Sequence, residues 1–427
     1  MGTALRPDME RPVVAVFCMP EHGHFQQLRA LIGDLARSGF AVHVFTHRRY
    51  AAEVERLGAR LVDLFTPWPI EQADSESIPV PCRYVSFAAA YAEEVLASLR
   101  RLKPALVVAE TFAVIGRLAA RLLDLPLVNV MPGHNFHPAL YLPALRTDPR
   151  VAISERCHRA VEILRERYGL PDASPFSYIA GLSPDLNICC EPAAFLTEAE
   201  RKSFEPVAFY GCIPASAEES AHPETADALF GDGSSELKIY ACLGTVAFRY
   251  YADVATRVLE ALSDCVAGMK EARALVSLGG ASVADGVVQG LRRPNVEIVG
   301  YADQWRALGE ADLFLTHHGL NSTHEAVFRD VPMLSYPIFT DQPALAERCQ
   351  QLGIALPLSD SLRGPVDAEQ IRAGLEKISR ERASLMAKLE RVRTWELEVM
   401  AQRPAVLARV CDLASVSAAA LRPVDTR

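Results

Sequence analysis

A chain of 427 residues is too long for one ordinary hydrophobic core, so its length predicts two domains. Half of the residues are hydrophobic, 23% are charged and the formal net charge is −9, which argues against nucleic acid or an anionic membrane as the main partner. The ten cysteines include no C-x-x-C pair, a pattern that favours buried thiols in a reducing compartment. We expect a cytoplasmic protein, because no signal peptide and no apolar run of bilayer-spanning length is apparent.

Short apolar runs alternate with amphipathic helical stretches through the first half of the chain. The predicted strands there are 13–19, 41–46, 105–110 and 125–131. Because these runs are apolar without interruption, we expect a parallel sheet with helices on both faces.

The alternation stops at residues 214–236, a polar segment rich in Pro, Ser, Gly and acidic residues, and then restarts. The later strands are predicted at 237–244, 273–280, 296–301, 312–317 and 332–337. The pattern therefore predicts a first domain at 1–213, a linker at 214–236, a second domain at 237–402 and a C-terminal helix and tail at 403–427 that packs back on the first domain. The fold class is α/β, with two tandem Rossmann-like doubly wound domains whose strand ends face a common cleft.

The stretch THHGLNSTHEA (316–326) places many polar groups where a strand ends and a helix begins. Gly319 permits a tight turn, and a helix that starts at Asn321 or Ser322 would direct free N–H groups and its positive dipole end at the cleft, which favours a phosphate. His317, Asn321, Ser322 and Thr323 can add side-chain donors. An alternative without a ligand is a capping box from Ser322 to Glu325.

Other strand ends carry groups suited to a nucleotide and a sugar. Asp341 and Gln342 combine a carboxylate with an amide, a pair that can hold sugar hydroxyls. Tyr301 offers an apolar face for a base, with the Gln304 amide beside it. Gly244 and Thr245 follow the first strand of the second half. The absence of G-x-G-x-x-G after a strand and of G-x-x-x-x-G-K argues against a dinucleotide dehydrogenase or a P-loop NTPase.

The order L-G-T, aromatic-A-x-Q, H-x-G-x-N-S-T-x-E and P-x-x-x-D-Q resembles the donor-binding signature of nucleotide-sugar-dependent glycosyltransferases of the plant and macrolide type, which have the GT-B fold. The resemblance covers 237 to about 358. It implies that Tyr301 stacks on the base beside Gln304, that Glu325 holds the ribose, and that Asp341 and Gln342 hold the sugar. The diphosphate would be held by Thr245, His317, Asn321 and Ser322.

The same resemblance implies a catalytic pair in the first half. The family's G-H-x-x-P motif matches Gly23 and His24, with Gln27 in place of the proline, and its P-D-L-V-V-x-D segment matches PALVVAE, which ends at Glu110. His24 would then be the general base and Glu110 would orient its ring. Alternatives at H-x-H are a solvated His22 and a metal pair, but the further His and Asp ligands that a metal-dependent hydrolase needs are missing.

The expected reaction is an inverting hexose transfer from a nucleotide sugar to a hydroxyl of a small-molecule acceptor, with a UDP-sugar favoured over a dTDP-sugar as co-substrate. No cofactor and no metal are expected, since no D-x-D occurs. Candidate acceptor contacts, from the loops at 65–87 and 132–145, are Trp68, Tyr84, Asn135 and Phe136. A monomer or a homodimer is expected.

Two other functions remain open from the sequence. One is a nucleotide-sugar epimerase of the same fold, which would release product without an acceptor. The other is a non-catalytic nucleotide-sugar-binding subunit, suggested by the departures at Glu110 and Gln27, which would bind nucleotide tightly without turnover.

Overall fold

Two all-parallel sheets, each flanked by helices, form the two halves of the molecule. The computed structural model describes residues 11–78, 81–149, 151–177, 181–213, 229–230 and 237–420. The predicted fold class, two tandem doubly wound α/β domains, is confirmed.

The first sheet has the strand order β3-β2-β1-β4-β5-β6-β7. Its strands are β1 (Val13–Phe17), β2 (Ala41–Thr46), β3 (Arg60–Asp63), β4 (Leu106–Glu110), β5 (Leu127–Met131), β6 (Leu186–Cys189) and β7 (Val207–Phe209). Its helices are α1 (His22–Arg37), α2 (Ala51–Arg56), α3 (Ile70–Ala73), α4 (Pro81–Leu102), α5 (Val114–Leu122), α6 (Pro138–Thr147), α7 (Glu155–Glu166) and α8 (Glu198–Ser203). Alternate residues of β1 enter different cores, Val14 and Val16 on one face and Ala15 and Phe17 on the other, so the sheet is buried on both faces.

The second sheet has the order β10-β9-β8-β11-β12-β13. Its strands are β8 (Leu237–Cys242), β9 (Ala272–Ser277), β10 (Val296–Val299), β11 (Leu313–Thr316), β12 (Met333–Ser335) and β13 (Ala355–Pro357). Its helices are α9 (Ala247–Tyr250), α10 (Ala252–Ala267), α11 (Asp285–Leu291), α12 (Gln304–Glu310), α13 (Leu320–Phe328), α14 (Gln342–Leu352) and α15 (Ala368–Ala420). In both sheets the order reverses beside the first strand, and ligands of doubly wound domains bind at such a point.

All nine predicted strands are present, and most end two or three residues earlier than expected. The strand predicted at 237–244 ends at Cys242, because Gly244 takes a positive φ of 82° and turns the chain toward the cleft. The four strands β3, β6, β7 and β13 were not predicted.

The helix α15 joins the two domains. It packs against α10 and α13 of the second domain and against β4 and β7 of the first. The Arg403 side chain, which is 4% exposed, donates from Nε to the Tyr210 carbonyl at 2.9 Å and from Nη2 to the Ile213 carbonyl at 2.6 Å. The helix is continuous across the predicted boundary between 402 and 403 and contains Pro404.

The predicted linker falls mostly on residues outside the described part of the chain, namely 214–228 and 231–236. Of the linker, the structure describes Leu229 and the buried Phe230. All ten cysteines lie in described segments as free thiols, nine of them buried, as the sequence predicts. Within the described residues, no helix combines the length and the apolar character that crossing a membrane requires.

We expect Arg403→Ala to lower the free energy of unfolding by about 3 kcal/mol, because it leaves buried carbonyls of the first domain without a donor. Urea denaturation measures the loss. Arg409→Ala is the control: Arg409 is exposed and donates to one carbonyl, that of Val207, so its loss should cost about 0.5 kcal/mol. Equal losses in the two variants would mean that the buried hydrogen bonds of Arg403 do not stabilise the contact between α15 and the first domain.

Candidate active site

Side chains beyond the strand ends of the two sheets meet across the cleft. Asn321 Nδ2, in α13, donates to the Gly23 carbonyl at the start of α1 over 2.9 Å. The Tyr301 hydroxyl, after β10, lies 3.1 Å from His22 Nε2. The first turn of α1, which carries the predicted base, therefore contacts both the predicted phosphate helix and the predicted base-stacking residue.

His24 and Glu110 come together at the carboxyl ends of β1 and β4. His24 Nδ1 lies 3.2 Å from Glu110 Oε1, an ion-pair contact that is not aligned as a hydrogen bond. The Glu110 carboxylate is fixed by two backbone donors, Met19 N at 3.2 Å to Oε1 and Phe112 N at 2.8 Å to Oε2. The Glu110 side chain, which is longer than the aspartate of the family motif, thus reaches the His24 ring. Its carboxylate is held by the loops that follow β1 and β4.

Burial and charge act in opposite directions on His24. Burial disfavours the charged ring and lowers its pKa, whereas the Glu110 carboxylate beside it, with smaller contributions from Glu21 and Asp341, raises it. The net result is a pKa above 6.5. The His24 side chain is 22% exposed to solvent, so a substrate hydroxyl can reach the ring.

Gln27, which stands where the resemblance implies a proline, is buried on α1. Its Nε2 donates to the Pro132 carbonyl at 2.6 Å. The side chain therefore ties the helix that carries His24 to the loop after β5.

The His317 ring occupies the turn between β11 and α13, packed between two glycines. A Cβ at Gly244 or at Gly319 would overlap its Nε2. Burial lowers the pKa of His317 to about 4, so the ring is neutral near pH 7. We infer that it can offer a hydrogen bond to a bound group, but not a positive charge.

The turn itself differs from the expectation. Gly319 has an ordinary φ of −62°, and the left-handed residue is His318, with a φ of 60°. His318 is stabilised in this conformation by buried contacts from its ring to the Thr323 hydroxyl at 3.1 Å and to the Ser335 hydroxyl at 2.7 Å. Gly319 is thus needed for space beside His317, not for its backbone conformation.

The helix α13 begins at Leu320, one to two residues before the expected start, and its N-cap Gly319 has no side-chain cap. The capping box from Ser322 to Glu325 does not form. Instead, the Ser322 hydroxyl donates to Gln304 Oε1 at 3.2 Å, and Gln304 Nε2 donates to Glu325 Oε2 at 2.8 Å. Burial raises the pKa of Glu325 to about 7, although the hydrogen bond from Gln304 lowers it.

Not every predicted donor-side residue faces the cleft. Thr323 has no exposed surface, and its hydroxyl contacts His318 inside the packing between α13 and the sheet. Tyr301, by contrast, is 48% exposed, and the Thr245 side chain is partly exposed. The structure thus places Thr323 in a packing position and leaves the face of Tyr301 accessible.

Asp341 and Gln342 lie at the start of α14. Gln342 is buried, and its Oε1 accepts from Ile338 N at 2.9 Å and Phe339 N at 3.1 Å, so that its carbonyl end holds its own loop. Asp341 Oδ2 accepts from His134 N of the first domain at 2.9 Å. Burial raises the pKa of Asp341 to about 6, and the bond from His134 acts against that rise.

Aromatic side chains of the first domain form a cluster beside His24. The Phe112 ring lies 5.0 Å from the His24 ring, 5.4 Å from Phe136 and 6.0 Å from Tyr84. Trp68 is stacked on Tyr91 in the same hydrophobic cluster. Asn135, also a predicted acceptor contact, donates to Glu200 Oε1 at 2.8 Å instead of facing the aromatic rings around Phe112. Sequence reasoning missed Phe112, although its place two residues after Glu110 was a usable signal.

The comparisons with known proteins agree with this arrangement. Residues 291–370 match the family model described as UDP-glucoronosyl and UDP-glucosyl transferase. The chain is 22% identical to the uncharacterized UDP-glucosyltransferase YdhE of Bacillus subtilis, over 86% of this chain and 93% of that protein. It is 26% identical to the zeaxanthin glucosyltransferase of Pseudescherichia vulneris, over 84% and 88% of the two chains.

Among solved structures, the glycosyltransferase of kitacinnamycin superposes with a TM-score of 0.70, at 21% identity, over 94% of this chain and all of that one. That likeness gives the fold, which is GT-B. The chain is a glycosyltransferase, and its residues 291–370 carry the UDP-glycosyltransferase family match. The family match covers the second sheet from β10 to the start of α15, and thus the predicted donor residues from Tyr301 to Gln342.

Since Glu110 makes the largest contribution that raises the pKa of His24, we expect this pKa to fall in Glu110→Gln, where only the smaller contributions of Glu21 and Asp341 oppose burial. Titration of the His24 ring resonances by NMR measures both proteins. Glu93→Gln, which removes an exposed carboxylate on α4 paired with Arg167, should leave the His24 titration unchanged. An unchanged His24 titration in Glu110→Gln would mean that the two side chains do not interact in solution.

Proposed function

We propose that this glycosyltransferase moves a hexose, with inversion, from a UDP-sugar to a hydroxyl of an apolar small molecule. The observation that carries the proposal is the placement of the His24–Glu110 pair opposite the start of α13. Asn321 joins the two sides through its 2.9 Å bond to Gly23. A base on one wall and a helix N-terminus on the other are what a direct displacement at a sugar carbon needs.

In the proposed reaction the acceptor oxygen attacks the anomeric carbon while His24 takes its proton. The bond between that carbon and the diphosphate oxygen breaks, and the nucleoside diphosphate leaves. Glu110 stabilises the imidazolium that forms, as its effect on the pKa of His24 supports. One displacement of this kind converts an α-linked donor into a β-linked product.

On the donor side, we propose that the positive end of α13 and hydrogen bonds from Thr245, His317 and Ser322 stabilise the charge of the leaving diphosphate. Burial makes His317 neutral, so the field of the helix is the main electrostatic contribution in this scheme. The proposed reaction uses no metal ion.

The donor is proposed to be UDP-glucose, and the acceptor an apolar molecule that bears a hydroxyl. The relatives named UDP-glucosyltransferase and zeaxanthin glucosyltransferase support a glucosyl donor. The aromatic wall around Phe112 supports an apolar acceptor, because such rings bury apolar area beside the base.

His24→Ala should reduce transfer by at least about a hundredfold and leave the affinity for the nucleotide sugar near that of the wild type, because the base acts on the acceptor. Turnover and calorimetric binding are measured in excess EDTA, in which the wild type should stay active. His22→Ala, which removes the neighbouring histidine, should keep most of its turnover number. The reverse outcome for the two variants would assign the base to His22, and loss of wild-type turnover in EDTA would overturn the metal-free scheme.

UDP-glucose should bind about tenfold to a hundredfold more tightly than a dTDP-linked 6-deoxy or 2,6-dideoxy sugar, because a missing hydroxyl leaves a buried polar partner at Asp341 or Gln342 unsatisfied. Calorimetry with a panel of UDP- and dTDP-sugars measures the preference. Asp341→Ala should remove most of it while UDP itself binds as before. A preference for a deoxysugar donor, or an Asp341→Ala variant that binds UDP-glucose like the wild type, would contradict the donor assignment.

A further inference from the structure

The loop between β5 and α6, PGHNF at 132–136, reaches from the first domain to the predicted sugar-binding carboxylate of the second. His134 N donates to Asp341 Oδ2 at 2.9 Å. Gly133 lies so close that a Cβ there would be 2.6 Å from the same oxygen and 2.9 Å from Asp341 Cγ. This approach is therefore open to a glycine and closed to residues with a side chain.

Glu191, which follows β6, holds this loop with both of its oxygens. His134 Nδ1 lies 2.7 Å from Glu191 Oε2, and the two side chains are 5% and 2% exposed. Asn135 N donates to Glu191 Oε1 at 3.3 Å, and Asn135 has a left-handed φ of 46°. The loop is thus fixed from behind by a buried carboxylate that the proposed reaction does not use.

Charge explains why the His134 ring stays in this buried place. Burial lowers the pKa of His134, whereas Glu191 and, to a smaller extent, Asp341 and Glu200 raise it. Together the carboxylates outweigh burial, so the net shift of the pKa is upward. Glu191, which holds the ring, thus favours its protonated form, while the backbone N–H of the same residue faces Asp341. The backbone N–H of His134 and the positive charge of its protonated ring both lower the pKa of Asp341 and so favour its ionised form.

We propose that His134, held by Glu191, is a positioning residue that completes the sugar end of the donor site from the acceptor domain. Its N–H fixes one oxygen of Asp341, which leaves the second oxygen to accept a hydroxyl of the transferred sugar. The inference rests on the proposed function, since it takes Asp341 to be a sugar ligand. It adds that the nucleotide is bound by the second domain, whereas the sugar is recognised only when the two domains are closed on each other.

A second buried pair in the same interface supplies a matched control. His324 Nδ1, in α13, lies 2.6 Å from Glu396 Oε1, in α15, and neither side chain is exposed. Among the described contacts of the chain, Glu396 pairs with His324 and not with the loop at 132–136, although His324 Nε2 is 3.9 Å from Glu191 Oε2. Glu396→Gln therefore removes a buried interface charge without removing the partner of His134.

The test compares the affinity for UDP with that for the UDP- or dTDP-sugar that the wild type binds most tightly. Calorimetry gives the ratio of the dissociation constant of UDP to that of the nucleotide sugar, which measures how much the sugar adds to binding. The ratio is measured for the wild type, Gly133→Ala, His134→Ala, Glu191→Gln and Glu396→Gln, each checked for folding by thermal unfolding. We expect the ratio to fall about tenfold in the first three variants, with UDP affinity within about twofold of the wild type, and to hold within about twofold in Glu396→Gln.

The outcomes separate the possibilities. An unchanged ratio in the three loop variants, or an equal fall in Glu396→Gln, would overturn the positioning role. A ratio that rises would also overturn it, since His134 would then compete with the sugar for Asp341. If Glu191→Gln does not fold, Gly133→Ala and His134→Ala decide the question. A wild type that binds no nucleotide sugar would refute the proposed function itself, whereas binding with an unchanged ratio refutes only this inference.

Discussion

The structure of the site depends on one arrangement, in which the strand ends of two parallel sheets face each other so closely that backbone and side-chain groups bond across the cleft. Two hydrogen bonds, both 2.9 Å long, join helix N-termini of the second domain to the first: Asn321 bonds to Gly23 in the first turn of α1, and Asp341 bonds to His134 in the loop after β5. The first bond places the proposed base near the helix that we propose binds the phosphates, and the second places a loop of the first domain at the proposed sugar-binding carboxylate. Doubly wound sheets produce this result because all their ligand-binding loops emerge at one edge.

Burial near this cleft has different consequences for different histidines, and the difference lies in their partners. His317 packs between glycines, and no carboxylate of the described residues lies beside it, so desolvation makes it neutral. His24 and His134 are each paired with a glutamate, and the pKa of both is raised in spite of burial. The fold therefore favours the neutral form of one histidine and the protonated form of the other two, according to whether it brings a carboxylate to the ring.

The sequence predicted nine strands, among them the short β10, β11 and β12, and it missed β3, β6, β7 and β13. The four strands it missed have three or four residues, and β6 contains Asn187, whose buried amide bonds with Asn129 and nearby backbone groups. For the site, motif spacing predicted which loops meet, since strand ends share an edge. It did not predict which side chains form hydrogen bonds within their own loop and therefore do not face the cleft. Thr323 and the oxygen of Gln342 serve their own turns, and the roles of His318, His134 and Glu191 depend on contacts between residues distant in the sequence.

The departures of this chain from its family pattern are compensated by contacts that a motif cannot show. Glu110 is one methylene longer than aspartate, and two backbone N–H groups fix its carboxylate so that the extra length ends at the His24 ring. Gln27 lacks the rigidity of proline, and its bond to the Pro132 carbonyl restores a constraint on α1. That carbonyl belongs to the residue before Gly133, so one short segment anchors the helix of the base on one side and approaches Asp341 on the other. A change in this segment would therefore act on the position of the base and on the sugar site together, although it contains no catalytic group.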